Sequence, residues 1–276
     1  MIQGQVVLIT GASRGIGRAI ALELAAQGVK RLLLVARDPQ RLQEMVETLQ
    51  KQYPEVESVP LAVDLTNTPA LDGAIAKAWR DYGPIDLLIN NAGVAHQGDF
   101  LATNPRKIEE EINVNLLGTF RITRLIAKRM VSRSQGTIVN VSSLMGKVAA
   151  PTYATYSATK FALVGFTQAL RQELASKGVR VVALLPSLTD TDMVRNTEKF
   201  RWVATDSAEM VAKSLVAGLR DRDDEIVVGW QGKVASLMGR FFPQVVQKVV
   251  ALAAPDRKLD RQVLPLRSPS ETDRAA

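Results

Sequence analysis

The sequence contains no cysteine and a single histidine, His96. The first absence excludes disulfides and thiolate metal sites. The second leaves serine–histidine chemistry one base to draw on. His96 lies in "VAHQGDF", a loop-like stretch with too few partners for a metal. It is expected to be exposed and non-catalytic, and no metal site is expected. Aromatic residues are only 5% of the chain, so the core must be mostly aliphatic. No apolar run reaches the roughly 18 residues that suggest a spanning helix. Met1 leads straight into "QGQVVLIT" with no basic stretch before it, so no signal peptide is expected and a cytoplasmic location is.

What is present suits one large α/β domain. The 276 residues are 46% hydrophobic, enough for a sizeable core. The formal charge of +7 fits an anionic cofactor, nucleic acid, an anionic membrane surface or plain solubility. A nucleic-acid partner is not expected, because no basic stripe or interleaved aromatic platform accompanies the charge.

Short aliphatic runs alternate with helical patterns. "VVLIT" (6–10), "RLLLVA" (31–36), "VESVPLAV" (56–63), "IDLLIN" (85–90), "GTIVNVS" (136–142), "VRVVALLP" (179–186) and "EIVVG" (225–229) read as strands. Their Val, Ile and Leu fall on both parities, as expected where both faces are covered. Between them the period lengthens. Leu71, Ala74, Ile75, Ala78 and Trp79 form one apolar stripe at helical spacing. Repeated alternation predicts a doubly wound parallel sheet of about seven strands with helices on both faces. Residues 1–254 are expected to form one domain. Residues 255–276, rich in proline and charge, are expected to be a loosely ordered tail.

"TGASRGIG" (10–17) follows the first strand and opens the first helix. Glycine permits a tight turn and close backbone approach, and a helix N-terminus offers free N–H groups to a pyrophosphate. Gly11, Gly15 and Gly17, with Ser13, Arg14 and Ile16 between them, therefore predict a dinucleotide site. The end of the second strand reads "VARD". Ala36 stands where an NAD enzyme places an acid for the ribose 2′-hydroxyl, and Arg37 follows. Arg14 and Arg37 suit a 2′-phosphate, so NADP(H) is expected over NAD(H). Asp38 takes the acid's role only if the strand ends two residues later.

Further along stand "NNAG" (90–93), "NVNLLG" (113–118), "VSS" (141–143) and "YSATK" (156–160). With the glycine turn, these resemble the short-chain dehydrogenase/reductase family over roughly residues 4–195. The resemblance implies a Rossmann-like fold, carbonyl or alcohol substrates and a homodimer or homotetramer. It assigns Tyr156 as general acid/base, with Lys160 beside it at i+4. It selects Ser143 over Ser142 and Asn115 over Asn113. Asp64 and Leu65 are implied to meet the adenine, and Asn91, Ala92 and Gly93 to line the cofactor groove. In "PSLTDTDM" (186–193), Pro186 and Thr191 match the family and Ser187 replaces a glycine. Thr189 is implied to reach the carboxamide. An ammonium four residues from a phenol on one helix face is expected to lower the Tyr156 pKa.

Substrate choice is expected in the loop 187–205, a candidate lid, and in the apolar segment 233–254. That segment reads as a helix packed on the body, a dimer face, a peripheral membrane contact or a cover over an apolar pocket. Pro243 is expected to break it into two helices. An oxidoreductase is the leading functional expectation. A nucleotide-binding regulatory or scaffold protein of the same fold is the alternative.

Overall fold

The computed structural model describes residues 2–195 and 197–255. Among them, seven strands form one parallel sheet: β1 (Val6–Thr10), β2 (Arg31–Ala36), β3 (Glu57–Ala62), β4 (Leu87–Asn90), β5 (Gly136–Val141), β6 (Val179–Leu185) and β7 (Glu225–Val227). Their order is β3-β2-β1-β4-β5-β6-β7. The doubly wound sheet with helices on both faces is therefore confirmed. The order reverses between β1 and β4, and a crevice opens there at the strands' carboxyl ends.

Alternation along each strand feeds the two faces. Val7 and Ile9 of β1 pack toward α1 (Gly15–Ala26), α2 (Pro39–Gln52) and α8 (Ala208–Arg220). Val6 and Leu8 pack toward α3 (Thr68–Tyr82) and α5 (Thr119–Ser132), joined by Leu174 of α6 (Ala154–Ala175). The α3 stripe holds: Leu71, Ile75 and Ala78 are buried, and Ala74 and Trp79 pack at its margin.

Several boundaries are shorter than the sequence suggests. β3 is an edge strand, where Pro60 costs no ladder donor, so half of it is exposed rather than covered. The helix that carries Tyr156 and Lys160 begins at Ala154, because Thr152 has φ 65°, outside helical geometry. Pro243 does divide the C-terminal segment, into α9 (Trp230–Phe241) and α10 (Pro243–Ala253). The tail expected over 255–276 lies, from residue 256 onward, outside the described residues.

A buried polar ladder joins the central strands. Asn90 Nδ2 donates to Asn140 Oδ1 and to Thr123 Oγ1, each at 2.8 Å. Asn140 Nδ2 donates in turn to Thr167 Oγ1 at 2.9 Å. It ties β4 and β5 to α5 and α6 immediately beneath the crevice.

Candidate active site

The crevice encloses about 450 Å³ at the carboxyl ends of β1, β2 and β4. Its floor is the glycine turn. A Cβ built at Gly17 would lie 2.2 Å from the Gly11 carbonyl oxygen, so only glycine allows α1 to start this close to β1. Gly17 itself is packing rather than lining; Gly11, Ser13, Arg14, Gly15 and Ile16 line the crevice. Asp38, Asn67 and Ser207 cap α2, α3 and α8 with side-chain oxygens, whereas no side chain caps α1. Its first amides and positive dipole end thus face the crevice, as a pyrophosphate requires.

At the β2 end, Arg14, Arg37 and Arg41 line the crevice together. Their acidic partners are Asp192 at 3.8 Å from Arg14, Glu110 at 3.7 Å from Arg37, and Asp38 at 3.4 Å and Asp192 at 3.9 Å from Arg41. Asp38 Oδ1 is committed to the Arg41 amide at 3.1 Å as the cap of α2. Arg41 is a contributor that the sequence did not reveal, since its place is visible only once α2 turns it back toward β2.

Asp64 lines the crevice with Leu65, and its Oδ1 accepts from Thr66 N and Thr66 Oγ1, both at 2.8 Å. Asn91, Ala92 and Gly93 also line it. Asn91 Nδ2 donates to the carbonyls of Thr10 and Gly11 at 3.0 and 3.2 Å, so it also locks β4 to the glycine turn. Thr191 lines the crevice against Gly15, whereas Pro186 and Thr189 sit behind the wall. Ser187, in the glycine's place, donates its hydroxyl to the Asp206 carboxylate. That bond fastens the loop after β6 to the residues preceding α8.

At the far end stand the remaining candidates. Tyr156 and Lys160 line the crevice on one face of α6. Ser143 lies close enough to Tyr156 to influence its phenol, and its Oγ accepts from Met145 N at 3.1 Å. Asn115 lies one layer back in a π-helical turn (Asn113–Gly118) between α4 (Pro105–Ile112) and α5. Such turns often mark functional sites. Its Oδ1 accepts from Val94 N at 2.9 Å, and its Nδ2 donates to Val94 O and Thr159 Oγ1. A Cβ built at Gly93 would fall 3.2 Å from Asn115 Oδ1 and 3.7 Å from Lys160 Nζ. Asn115 and Lys160 thus meet across Gly93.

The family assignment follows from this chain's match to known sequences and folds. The sequence model of the short chain dehydrogenase family matches residues 5–202. The protein belongs to that family. A zebrafish (Danio rerio) relative, dehydrogenase/reductase SDR family member 7B, is 34% identical over 92% of this chain and 86% of its own length. A Synechocystis 3-oxoacyl-[acyl-carrier-protein] reductase is 35% identical over 71% of this chain and 78% of its own. A Burkholderia cenocepacia short chain dehydrogenase, solved in complex with NADP, superposes with a TM-score of 0.79. It shares 29% identity and covers 92% of this chain and all of its own. Oxidoreductase chemistry with a nicotinamide cofactor goes with the family, and the uncapped α1 and its glycine floor fit such a group.

One electrostatic expectation for this short-chain dehydrogenase is reversed. Burial pushes the Tyr156 phenol up to about 12, with the nearby Ser143 hydroxyl pulling the other way. Lys160 does not offset this. Its Nζ is 5.4 Å from the ring centroid and donates to Val141 O at 3.0 Å. Burial also drives Lys160 down to about 8. His96 departs from expectation too: its side chain is only 25% exposed, and Nε2 lies 3.0 Å from Glu110 Oε2. The neighbouring Glu111 is buried and accepts the His96 amide; desolvation raises its pKa. Nothing in "EEEINVN" signalled these acids, because their burial depends on how α4 docks.

The depressed Lys160 pKa carries a stability prediction. The unfolded side chain titrates near 10.5 and the folded one at about 8. The folded chain therefore holds fewer protons between those values, and this group's contribution rises with pH there. Below pH 8 the buried ammonium is a liability. Lys160→Met is expected to stabilise the ligand-free protein at pH 7 by about 1–3 kcal/mol, since each tenfold loss of proton affinity is worth about 1.4 kcal/mol. Chemical denaturation across pH checks this. The variant's advantage should shrink from about pH 8 to 10.5, and a variant less stable than wild type at pH 7 contradicts it.

Proposed function

We propose that this protein is an NADP(H)-dependent carbonyl reductase and alcohol dehydrogenase. The observation that carries the reading is the pairing of Tyr156 and Lys160, with Ser143 beside Tyr156, at one end of a crevice whose other end gathers three guanidiniums. The crevice thus offers a 2′-phosphate end and a proton-transfer end. The bound nicotinamide supplies or receives the hydride. All other steps fall to the chain. The α1 amides and Arg14 hold the pyrophosphate, Arg37 and Arg41 the 2′-phosphate, and Asp64 and Leu65 border the adenine.

Ser143 Oγ donates to the substrate oxygen and stabilises the charge that develops there. Tyr156 gives its phenolic proton to that oxygen as the C=O bond becomes C–O–H. A phenol pushed up to about 12 is fully protonated at neutral pH, ready for this direction. The cost falls on the phenolate left behind. Lys160 would then turn its ammonium toward Tyr156 and return a proton to the phenolate, and Lys160 would take its replacement proton from solvent. In the oxidising direction the same groups run in reverse.

The substrate is an apolar ketone, aldehyde or secondary alcohol. Two aromatic rings stand beside Tyr156: Tyr153 lies edge-on at 6.0 Å, and Phe200 lies 6.3 Å from Tyr153. Phe200 belongs to the loop after β6, which Gln97 clamps by bonds to both Glu198 N and Glu198 O. That loop is the lid in this reading. NADPH oxidation against carbonyls of increasing apolar size tests it. Each buried methylene is worth about 0.8 kcal/mol, so kcat/KM should rise about tenfold for two of them. A preference for small polar aldehydes would refute the apolar pocket.

A further inference from the structure

The two C-terminal helices are inside out. α9 turns Gly232, Ala235, Ser236 and Gly239 toward the body and leaves Val234, Leu237, Met238 and Phe241 in water. α10 continues the pattern: Val245, Val249 and Leu252 are each more than half exposed at 53%, 53% and 68%. These positions follow i, i+3, i+4 and i+7 spacing, so each helix presents one large-residue stripe outward. Soluble surfaces scatter such side chains singly and rarely join them into one band.

Two of the chain's three tryptophans join this band. Trp202 and Trp230 are 75% and 73% exposed. They are held together: Ala204 N donates to Gln231 Oε1 at 3.1 Å, and Gln231 Nε2 donates to Trp202 O. Arg201 N donates to Ala253 O at 2.7 Å, which anchors the same loop to the end of α10. The loop and both helices therefore form one continuous face.

The charge on the two helices has one sign. From Ile226 to Pro255 the chain has no Asp or Glu, and its cations are Lys233, Arg240 and Lys248. A self-complementary contact would set these like charges against a second copy of themselves. An anionic lipid surface complements them, while exposed tryptophans suit the headgroup level. Neither helix can span: at 12 and 11 residues they are about 18 and 16 Å long, against a hydrocarbon core of about 30 Å.

We propose that α9, α10 and the Trp202 loop dock this protein flat onto an anionic lipid bilayer. The large side chains enter the acyl boundary, and Lys233, Arg240 and Lys248 extend to phosphate headgroups. α9 seats this face on loops at the carboxyl ends of the strands. A Cβ built at Gly232 lies 3.9 Å from Ser187 Cβ, and one at Gly239 lies 3.2 Å from Val148, so α9 bridges the loops after β6 and β5.

Co-sedimentation with vesicles tests the docking without turnover. One set is phosphatidylcholine alone; the other carries about one quarter phosphatidylglycerol. The full chain is expected to bind the anionic vesicles at least about tenfold more strongly and to show blue-shifted tryptophan emission. Two variants probe the face: Leu237→Ser with Phe241→Ser, Val249→Ser and Leu252→Ser, and Lys233→Glu with Arg240→Glu and Lys248→Glu. Each should lose at least about tenfold in anionic-vesicle binding, because it removes either the buried area or the charge. Unchanged NADPH affinity reports that both variants are folded. Unaltered vesicle binding by the serine variant overturns the proposal. So does a wild type that binds neither vesicle, including one that is a dimer which the serine variant makes monomeric. That last result would assign the face to a second copy.

Discussion

Tyr156→Phe should leave NADPH binding and thermal stability close to wild type and lower kcat at least about a hundredfold. The substitution removes only the hydroxyl. The ring keeps its edge contact with Tyr153, 6.0 Å between centroids, and its wall of the crevice. In the proposed reaction, what disappears is the proton that Tyr156 gives to the substrate oxygen. A phenol that burial pushes up to about 12 stays protonated at neutral pH, so the wild type enters each reducing turnover with this donor in place. Steady-state kinetics with NADPH and the best carbonyl of the size series measures this. A kcat within a few-fold of wild type would remove Tyr156 from the reaction.

Arg37→Ala should weaken NADPH binding by about 1.5–3 kcal/mol, the range for a lost charged hydrogen bond, and leave NADH binding nearly unchanged. Among the described residues, the acid nearest Arg37 is Glu110, 3.7 Å away and shared with His96, so the guanidinium is available to a stronger anion. Asp38, the acid that an NADH-preferring site would use, is occupied at the start of α2. Fluorescence titration of both nucleotides against both proteins reads the difference directly. Tighter NADH than NADPH binding by the wild type would invert the assignment of the β2 end.

Where the sequence was legible, local chemistry was enough. Strand and helix periods announced the sheet, because aliphatic side chains on both parities leave few other architectures. "TGASRGIG" announced a phosphate floor, because three glycines at a strand–helix junction have few other uses. "YSATK" placed Tyr156 and Lys160 on one helical face by spacing alone, and the structure puts both in the crevice. What was hidden depended on long-range docking. Arg41 reaches the crevice only through the turn of α2, and Glu111 is buried only because α4 meets the loop after β4. The Tyr156 pKa went the other way for the same reason. Spacing put an ammonium four residues away, but the Val141 carbonyl holds that ammonium, and burial then dominates. Pro243 dividing α9 from α10 was readable; the outward facing of their large side chains was not, since period alone does not say which side meets the body.

The most direct measurement is transfer of label from NADPH carrying deuterium at nicotinamide C4 to a carbonyl that the protein turns over. Mass spectrometry of the product alcohol should show one deuterium at the carbinol carbon when the label sits on one face of the nicotinamide, and none when it sits on the other. Tyr156→Phe should form the same labelled product at least about a hundredfold more slowly. NADPH bound with no labelled alcohol from any member of the carbonyl series would contradict an oxidoreductase and leave a nucleotide-binding protein without turnover.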